Sequence, residues 1–140
     1  MAMEQVSVFI ENKPGRLAEI LRYLAQQTID LRAYSFAETS DFGILRMLVR
    51  EPDAALAALK RGGYTARKND VLGLLVADET GSTVEAFQCL GDAGINVEYT
   101  YAFALGAGQG AFILLRVDDN AKAEKILLKA GMQLVNGQNF

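Results

Sequence analysis

The chain repeats itself, and the repeat limits what it can fold into. Val6, Val8 and Ile10 alternate with other residues, and so do Leu72, Leu74 and Val76, displaced by 66 (72 − 6). Apolar residues at every second position mark a half-buried strand. Each run leads through a glycine turn into apolar residues at helical spacing. Gly15 precedes Leu17, Ile20, Leu21 and Leu24; Gly81 precedes Val84, Phe87 and Leu90, again displaced by 66 (81 − 15). Ile95-Asn96-Val97 answers Ile29-Asp30-Leu31. Gly106-Ala107-Gly108-Gln109-Gly110 then lengthens the second copy, so that Ile113, Leu115 and Val117 answer Leu45, Met47 and Val49 at a displacement of 68 (113 − 45). Gly62-Gly63 and Gly131 close the last helix of each copy. Agreement in element order, glycine placement and core phase is the mark of a duplicated unit.

The first copy reads as strand 5–11, helix 15–27, strand 30–38, strand 43–50, helix 53–61 and a short strand 64–68. Polar Thr39-Ser40-Asp41 supplies the turn between the middle strands. The second copy restarts at Val71 and ends with a strand at 132–135. The order β-α-β-β-α-β defines a ferredoxin-like unit. The expected class is therefore α+β: two such units in tandem, 1–69 and 70–140, each an antiparallel sheet with its helices on one face. Units of this size bury only ~60% of their unfolded surface and need further cover. Val71, Leu75, Phe112 and Leu114 stand out of phase with the helix-facing residues, so the outer sheet faces are expected to lie under the sister unit or a second chain. A homodimer follows from that pattern, with the second unit the more buried.

Composition narrows the function classes. With 51% hydrophobic and 22% charged residues the chain is a folded globular one. No apolar run approaches the ~20 residues of a membrane helix, and no basic-then-apolar leader opens the sequence, so a cytoplasmic protein is expected. Cys89 stands alone, which fits a reducing compartment. There is no histidine, which removes the commonest general base and metal ligand. We expect no catalytic residues, no metal and no cofactor. Net charge is −3; residues 1–70 carry 10 basic and 9 acidic groups, and 71–140 carry 4 and 8. That is a poor footprint for nucleic acid.

The chemistry concentrates in Glu11-Asn12-Lys13-Pro14-Gly15-Arg16-Leu17. A strand-to-helix turn presents unpaired N–H groups that attract carboxylates and phosphates. Lys13 and Arg16 oppose the helix dipole there, by roughly 0.3–1 kcal/mol each, a cost that an anionic ligand or a partner carboxylate would offset. Asp78-Glu79-Thr80-Gly81-Ser82 is the second copy of this turn, without the proline or the cations. The side chains of Asn12 and Asp78 are either helix caps or acceptors for a ligand ammonium. Asp53 and Asp118-Asp119-Asn120 read as caps, and Cys89 as part of a packing face. Tyr34, Phe36, Tyr99, Tyr101 and Phe103 form either a stacking platform or core and interface surface.

With these residues in place, the chain resembles a pair of tandem ACT domains. The resemblance runs through Asn12-Lys13-Pro14-Gly15-Arg16-Leu17 in the first unit, and through Asp78 to Ser82 and Gly94-Ile95-Asn96-Val97 in the second. It departs at Thr28, where the family commonly has a glycine, and in the second turn. What it implies is a stand-alone, non-catalytic regulator that binds an amino acid at domain or subunit interfaces and acts on a metabolic enzyme. The implied binding residues are Asn12, Lys13, Pro14, Gly15, Arg16 and Leu17, with Asp78, Glu79, Gly81 and Ser82 as counterparts. The alternatives are an RNA-binding or protein-interaction module of the same fold, or an acylphosphatase-like hydrolase using Arg16 and Asn12. The third strands offer only Phe112 for base stacking, and no Cys-x-x-Cys is present for a metallochaperone.

Overall fold

The computed structural model describes residues 2–38 and 40–136. Thr39 of the expected Thr39-Ser40-Asp41 turn lies outside the described residues. The elements run β1 (Met3–Glu11), α1 (Arg16–Gln26), β2 (Leu31–Glu38), β3 (Phe42–Val49), α2 (Pro52–Arg61), β4 (Thr65–Val76), α3 (Ser82–Asp92), β5 (Val97–Ala104), β6 (Ala111–Val117), α4 (Asn120–Lys129) and β7 (Gln133–Val135). Two compact units divide the chain between Asn69 and Asp70, the second taking in Ala2 and Met3.

In the first unit the strand order is β2-β3-β1-β4, with antiparallel pairing of β1 and β2 to β3. The register sets Val6 opposite Met47 and Val8 opposite Leu45. These residues meet Ile20 and Leu24 of α1 and Ala55 and Leu59 of α2 in one buried cluster. The i, i+4 spacing of Ile20 and Leu24 aims one face of α1 at the sheet. Alanines on the inner face of α2 let it come close; the Tyr23 hydroxyl on α1 donates to the Ala58 carbonyl. Pro52 opens α2 at a position where its missing N–H costs nothing.

The second unit repeats the plan as β5-β6-β4 with β7 on the other side of β4, all antiparallel. Leu72, Leu74, Ile113, Leu115 and Leu134 pack with Ala86 and Leu90 of α3 and Ala123 and Leu127 of α4. The duplication reaches into detail. Bulges between Leu31 and Ala33 and between Val97 and Tyr99 fall at equivalent places. Each shifts the strand's phase, so that Leu31 and Phe36 both pack on the first core instead of following simple alternation.

Several sequence expectations need correction. The strands expected at 64–68 and from Val71 are one strand, β4. The strand runs without a break through the polar Arg67-Lys68-Asn69-Asp70, whose side chains find partners. Asn69 Oδ1 accepts from Ser7 Oγ at 3.3 Å, and Lys68 pairs with Asp53 and with Glu4. Asp53 is thus an ion-pair partner and not a cap. Of the acids before α4 only Asp119 caps, accepting from the Lys122 N–H at 3.1 Å; Asp118 accepts from the Asn96 N–H. Val84 is 63% exposed, because the inner face of α3 is set by Ala86 and Leu90. Of the out-of-phase residues, Val71, Phe112 and Leu114 are buried and Leu75 is half-buried.

Candidate functional site

The β1–α1 turn is built on Gly15, whose φ of +85° is left-handed. That conformation suits glycine and is costly for other residues. It swings the chain from the end of β1 into α1. The turn is tied down by the Asn12 N–H donating to the Asp41 carbonyl at 3.0 Å and the Arg16 N–H donating to the Lys13 carbonyl at 3.2 Å. Asn12 does not cap the helix. Its Nδ2 donates to Glu38 Oε2 at 2.8 Å, fastening the end of β2 to the turn. The N–H groups of Leu17 and Ala18, in the first helical turn, have no acceptor inside the helix.

The cations of this turn are balanced from within the chain. Lys13 Nζ lies 2.9 Å from Glu11, and Arg16 lies 3.7 Å from Glu11 and 2.9 Å from Glu19. Of the two offsets expected for these cations, an anionic ligand or a partner carboxylate, the carboxylates of Glu11 and Glu19 supply the second. The hydrogen bond and charge of Lys13, and then the charge of Arg16, hold the Glu11 carboxyl below its ordinary value. The hydrogen bond to Glu19 and the charges of Glu11 and Glu19 raise the Arg16 guanidinium. Burial, followed by the charge of Glu19, raises the Tyr64 phenol. All three groups keep their ordinary charge at neutral pH, so none of these shifts creates a proton-transfer group.

Beside this charged turn lies a cavity of about 360 Å³. β1 contributes Phe9, Ile10 and Glu11, α1 contributes Arg16 and Glu19, and β3 contributes Phe42. The junction from α2 into β4 supplies Gly63, Tyr64 and Thr65. Phe42 stands opposite Glu11 in the β1–β3 register. Phe9 and Phe42 keep 38% and 54% of their surface exposed. The Arg67 guanidinium lies 6.0 Å from the Phe9 ring centre. Tyr64 packs against Tyr23, with ring centres 5.6 Å apart.

Of the first-turn candidates, Arg16 alone lines the cavity. Lys13 acts through Glu11, Asn12 through Glu38, and Leu17 packs half-buried on the first core. Pro14 and Gly15 shape the turn. Glu19, three residues after Arg16, could have been found from that spacing. Phe42 and Gly63-Tyr64-Thr65 required the strand register and the ferredoxin-like order, which bring the ends of β1 and α2 to the same edge of the unit.

The counterpart turn in the second unit is closed by its own loop. Gly81 repeats the left-handed turn at φ +87°, and the Ser82 N–H donates to the Glu79 carbonyl at 3.2 Å. Asp78 is not a cap either. Its carboxylate accepts from the Gly108 N–H at 3.1 Å, in the enlarged loop between β5 and β6. Phe112, the one aromatic expected on a third strand, is 1% exposed, whereas β3 begins one residue earlier than expected and so adds Phe42, 54% exposed and on the cavity wall. Among the described residues no group of three His, Cys, Asp or Glu side chains is placed to hold a metal ion. No described helix is long and apolar enough to cross a membrane.

The sequence matches the ACT domain pair family over residues 1–140. The chain belongs to that family. Among solved structures, this ACT domain pair is similar to a Bacteroides thetaiotaomicron protein at 35% identity and a TM-score of 0.90, covering 96% of this chain and 92% of the other. It shares its fold with the ligand-free regulatory subunit of aspartate kinase from Thermus thermophilus, at 20% identity and TM-score 0.60, over 91% and 90% of the two chains. The regulatory subunit of the Thermus flavus aspartate kinase has the same fold, at 17% identity and TM-score 0.61, over 91% and 88%. No curated protein matches.

Proposed function

We propose that this ACT domain pair is a non-catalytic regulator that binds an amino acid at the β1–α1 turn of its first unit. The observation that carries the reading is the cavity beside that turn, where Arg16, Glu11 and Glu19 converge. A zwitterion presents a carboxylate and an ammonium together. The first supports a bond to Arg16 or to the N–H groups of Leu17 and Ala18, and the second a bond to Glu11 or Glu19. The ion pairs already there are exposed, and such pairs are worth about 0–1 kcal/mol, so exchanging one for a ligand contact costs little. Asn12, Lys13, Pro14, Gly15 and Leu17 set the shape and charge of the turn. Asp78, Glu79, Gly81 and Ser82 form the second copy, whose acid is already engaged by Gly108. That favours the first copy as the binding one.

We further propose a cytoplasmic homodimer that acts on a metabolic enzyme. The family supports this reading, as does the exposed ring of Tyr34, which lies outside the cavity lining.

A melting-temperature screen against the twenty amino acids and inorganic phosphate tests the ligand. At ~100 times its dissociation constant, a ligand adds about 2.7 kcal/mol. In a chain of this size that is a shift of several degrees. Arg16→Ala should remove the shift while leaving the ligand-free melting point nearly unchanged. No shift with any amino acid would sink the reading. Sedimentation with and without ligand reads the dimer.

A further inference from the structure

The cavity beside the first turn also carries information about the ligand's side chain. The charges at the turn cancel once Lys13 is included: Glu11, Glu19 and Arg16 line the cavity, Lys13 pairs with Glu11 from outside the lining, and the four groups meet through three contacts of 2.9, 2.9 and 3.7 Å. A ligand bringing a net charge would leave one of these groups, or one of its own, without a counterpart. A net-neutral zwitterion can replace contacts in equal numbers. This weighs against lysine-like and aspartate-like side chains, and equally against phosphates.

Apart from Thr65 and the Tyr64 hydroxyl, the rest of the lining is apolar, and two of its rings are open to solvent. Phe42 and Phe9 keep 54% and 38% of their surface exposed, while Ile10 and the half-buried Tyr64 complete the wall. Aromatic rings left in water gain free energy when a ligand covers them, about 25 cal/mol per Å² of apolar surface removed from solvent. A glycine-, alanine- or serine-sized side chain is too small to cover them. The size fits as well: about 360 Å³ lies at the lower end of the range for small-molecule sites, enough for one large amino acid and too little for a dinucleotide or a peptide.

We infer that this cavity is selective for a net-neutral amino acid with a bulky apolar side chain, with Phe42 and Tyr64 as specificity-determining residues. The inference rests on the reading above that the cavity is the amino-acid site. Hydrophobic pockets discriminate by roughly 10–200-fold per methylene. Phenylalanine, leucine or methionine should therefore bind at least about tenfold more tightly than alanine, serine, lysine or aspartate.

The test is titration calorimetry of the full chain with these seven amino acids, repeated on Phe42→Ala, Phe42→Leu and Thr65→Trp. Phe42 and Thr65 are exposed, so these variants do not open the core. Phe42→Ala should weaken the best apolar ligand by about tenfold, and Phe42→Leu should recover most of that loss. Thr65→Trp, which fills the cavity, should abolish binding of the bulky ligands. Tightest binding of lysine, aspartate or serine would overturn the inference and leave amino-acid binding standing. Bulky apolar binding unaffected by Phe42→Ala and Thr65→Trp would also overturn it, by placing the side chain elsewhere. Binding of none of the amino acids would bring down the reading beneath it.

Discussion

At the scale of single residues, Thr28 is where the two copies disagree most tellingly. It ends α1 at φ +59°, the only described non-glycine with positive φ, and its counterpart Gly94 ends α3 at +74°. Both helices close the same way: the Ile29 N–H donates to the Leu24 carbonyl at 3.0 Å and the Ile95 N–H to the Leu90 carbonyl at 2.9 Å. Since the same bond forms with either residue, the β-branched side chain contributes strain and no closure. Left-handed backbone costs an L-residue roughly 1–2 kcal/mol, part of which the extra chain entropy of glycine returns. Thr28→Gly should therefore raise stability by about 0.5–1 kcal/mol in denaturant unfolding. A second residue-scale prediction concerns Glu11. Its folded value is lowered, so its pairing stabilises the fold above the ordinary carboxylate value of 4.5 and is lost as pH falls through the folded value. Ligand response should accordingly be level from neutral pH down to about 5 and decline only below it. By carboxyl NMR titration, Lys13→Ala should raise the Glu11 midpoint more than Arg16→Ala does, because Lys13 supplies the larger causes.

At the scale of elements, the two turns share a scaffold and differ in what fills it. Gly15 and Gly81 hold nearly the same φ, 85° and 87°, so the fold needs the glycine in both. In the second unit the loop from Leu105 to Gly110 bends back over the turn and engages Asp78. Gly110 makes this possible: a Cβ there would lie 2.2 Å from the Val76 carbonyl oxygen, and its φ is +88°. Gly110→Ala should therefore displace the loop and cost about 2–4 kcal/mol, through strain and a backbone clash together. Asp78→Ala removes only an exposed bond and should cost under about 1 kcal/mol. Comparing the two by thermal melts separates the loop's backbone fit from its acid contact.

Much of this was legible in the sequence, and the limits have physical causes. Strand phase, helix faces, the glycine turns and the duplication all leave periodic marks. The continuity of β4 leaves none, because Lys68 and Asn69 are polar residues whose partners, Glu4, Asp53 and Ser7, come from distant positions. The cavity was half legible: Arg16 and Glu11 lie within the turn, while Phe42 and Tyr64 arrive only through strand register and chain order. Of the two roles open to Asn12 and Asp78, capping failed because longer-range acceptors and donors, Glu38 and the Gly108 N–H, compete for the same side chains.

At the scale of the whole molecule, duplication raises the question of whether the copies still do the same work. Their cores are equivalent, Ile20 and Leu24 in one answering Ala86 and Leu90 in the other. Their turns are not. One is lined by aromatics, carboxylates and a guanidinium around an open cavity, and the other has its acid bound to a glycine-rich loop. If the first unit alone takes the ligand, protection from amide exchange should be one-sided. With a saturating amino acid, peptides covering residues 9–20, 42–45 and 62–66 should exchange at least about tenfold more slowly, since each 1.4 kcal/mol of local stabilisation is a factor of ten. Peptides covering 78–90 and 105–111 should change much less. Equal protection of both sets would mean that the second turn also binds, and that the loop over Asp78 gives way to ligand. Hydrogen-exchange mass spectrometry on Asp78→Ala separates these cases further: releasing the acid should leave first-unit protection intact if the copies have divided their roles.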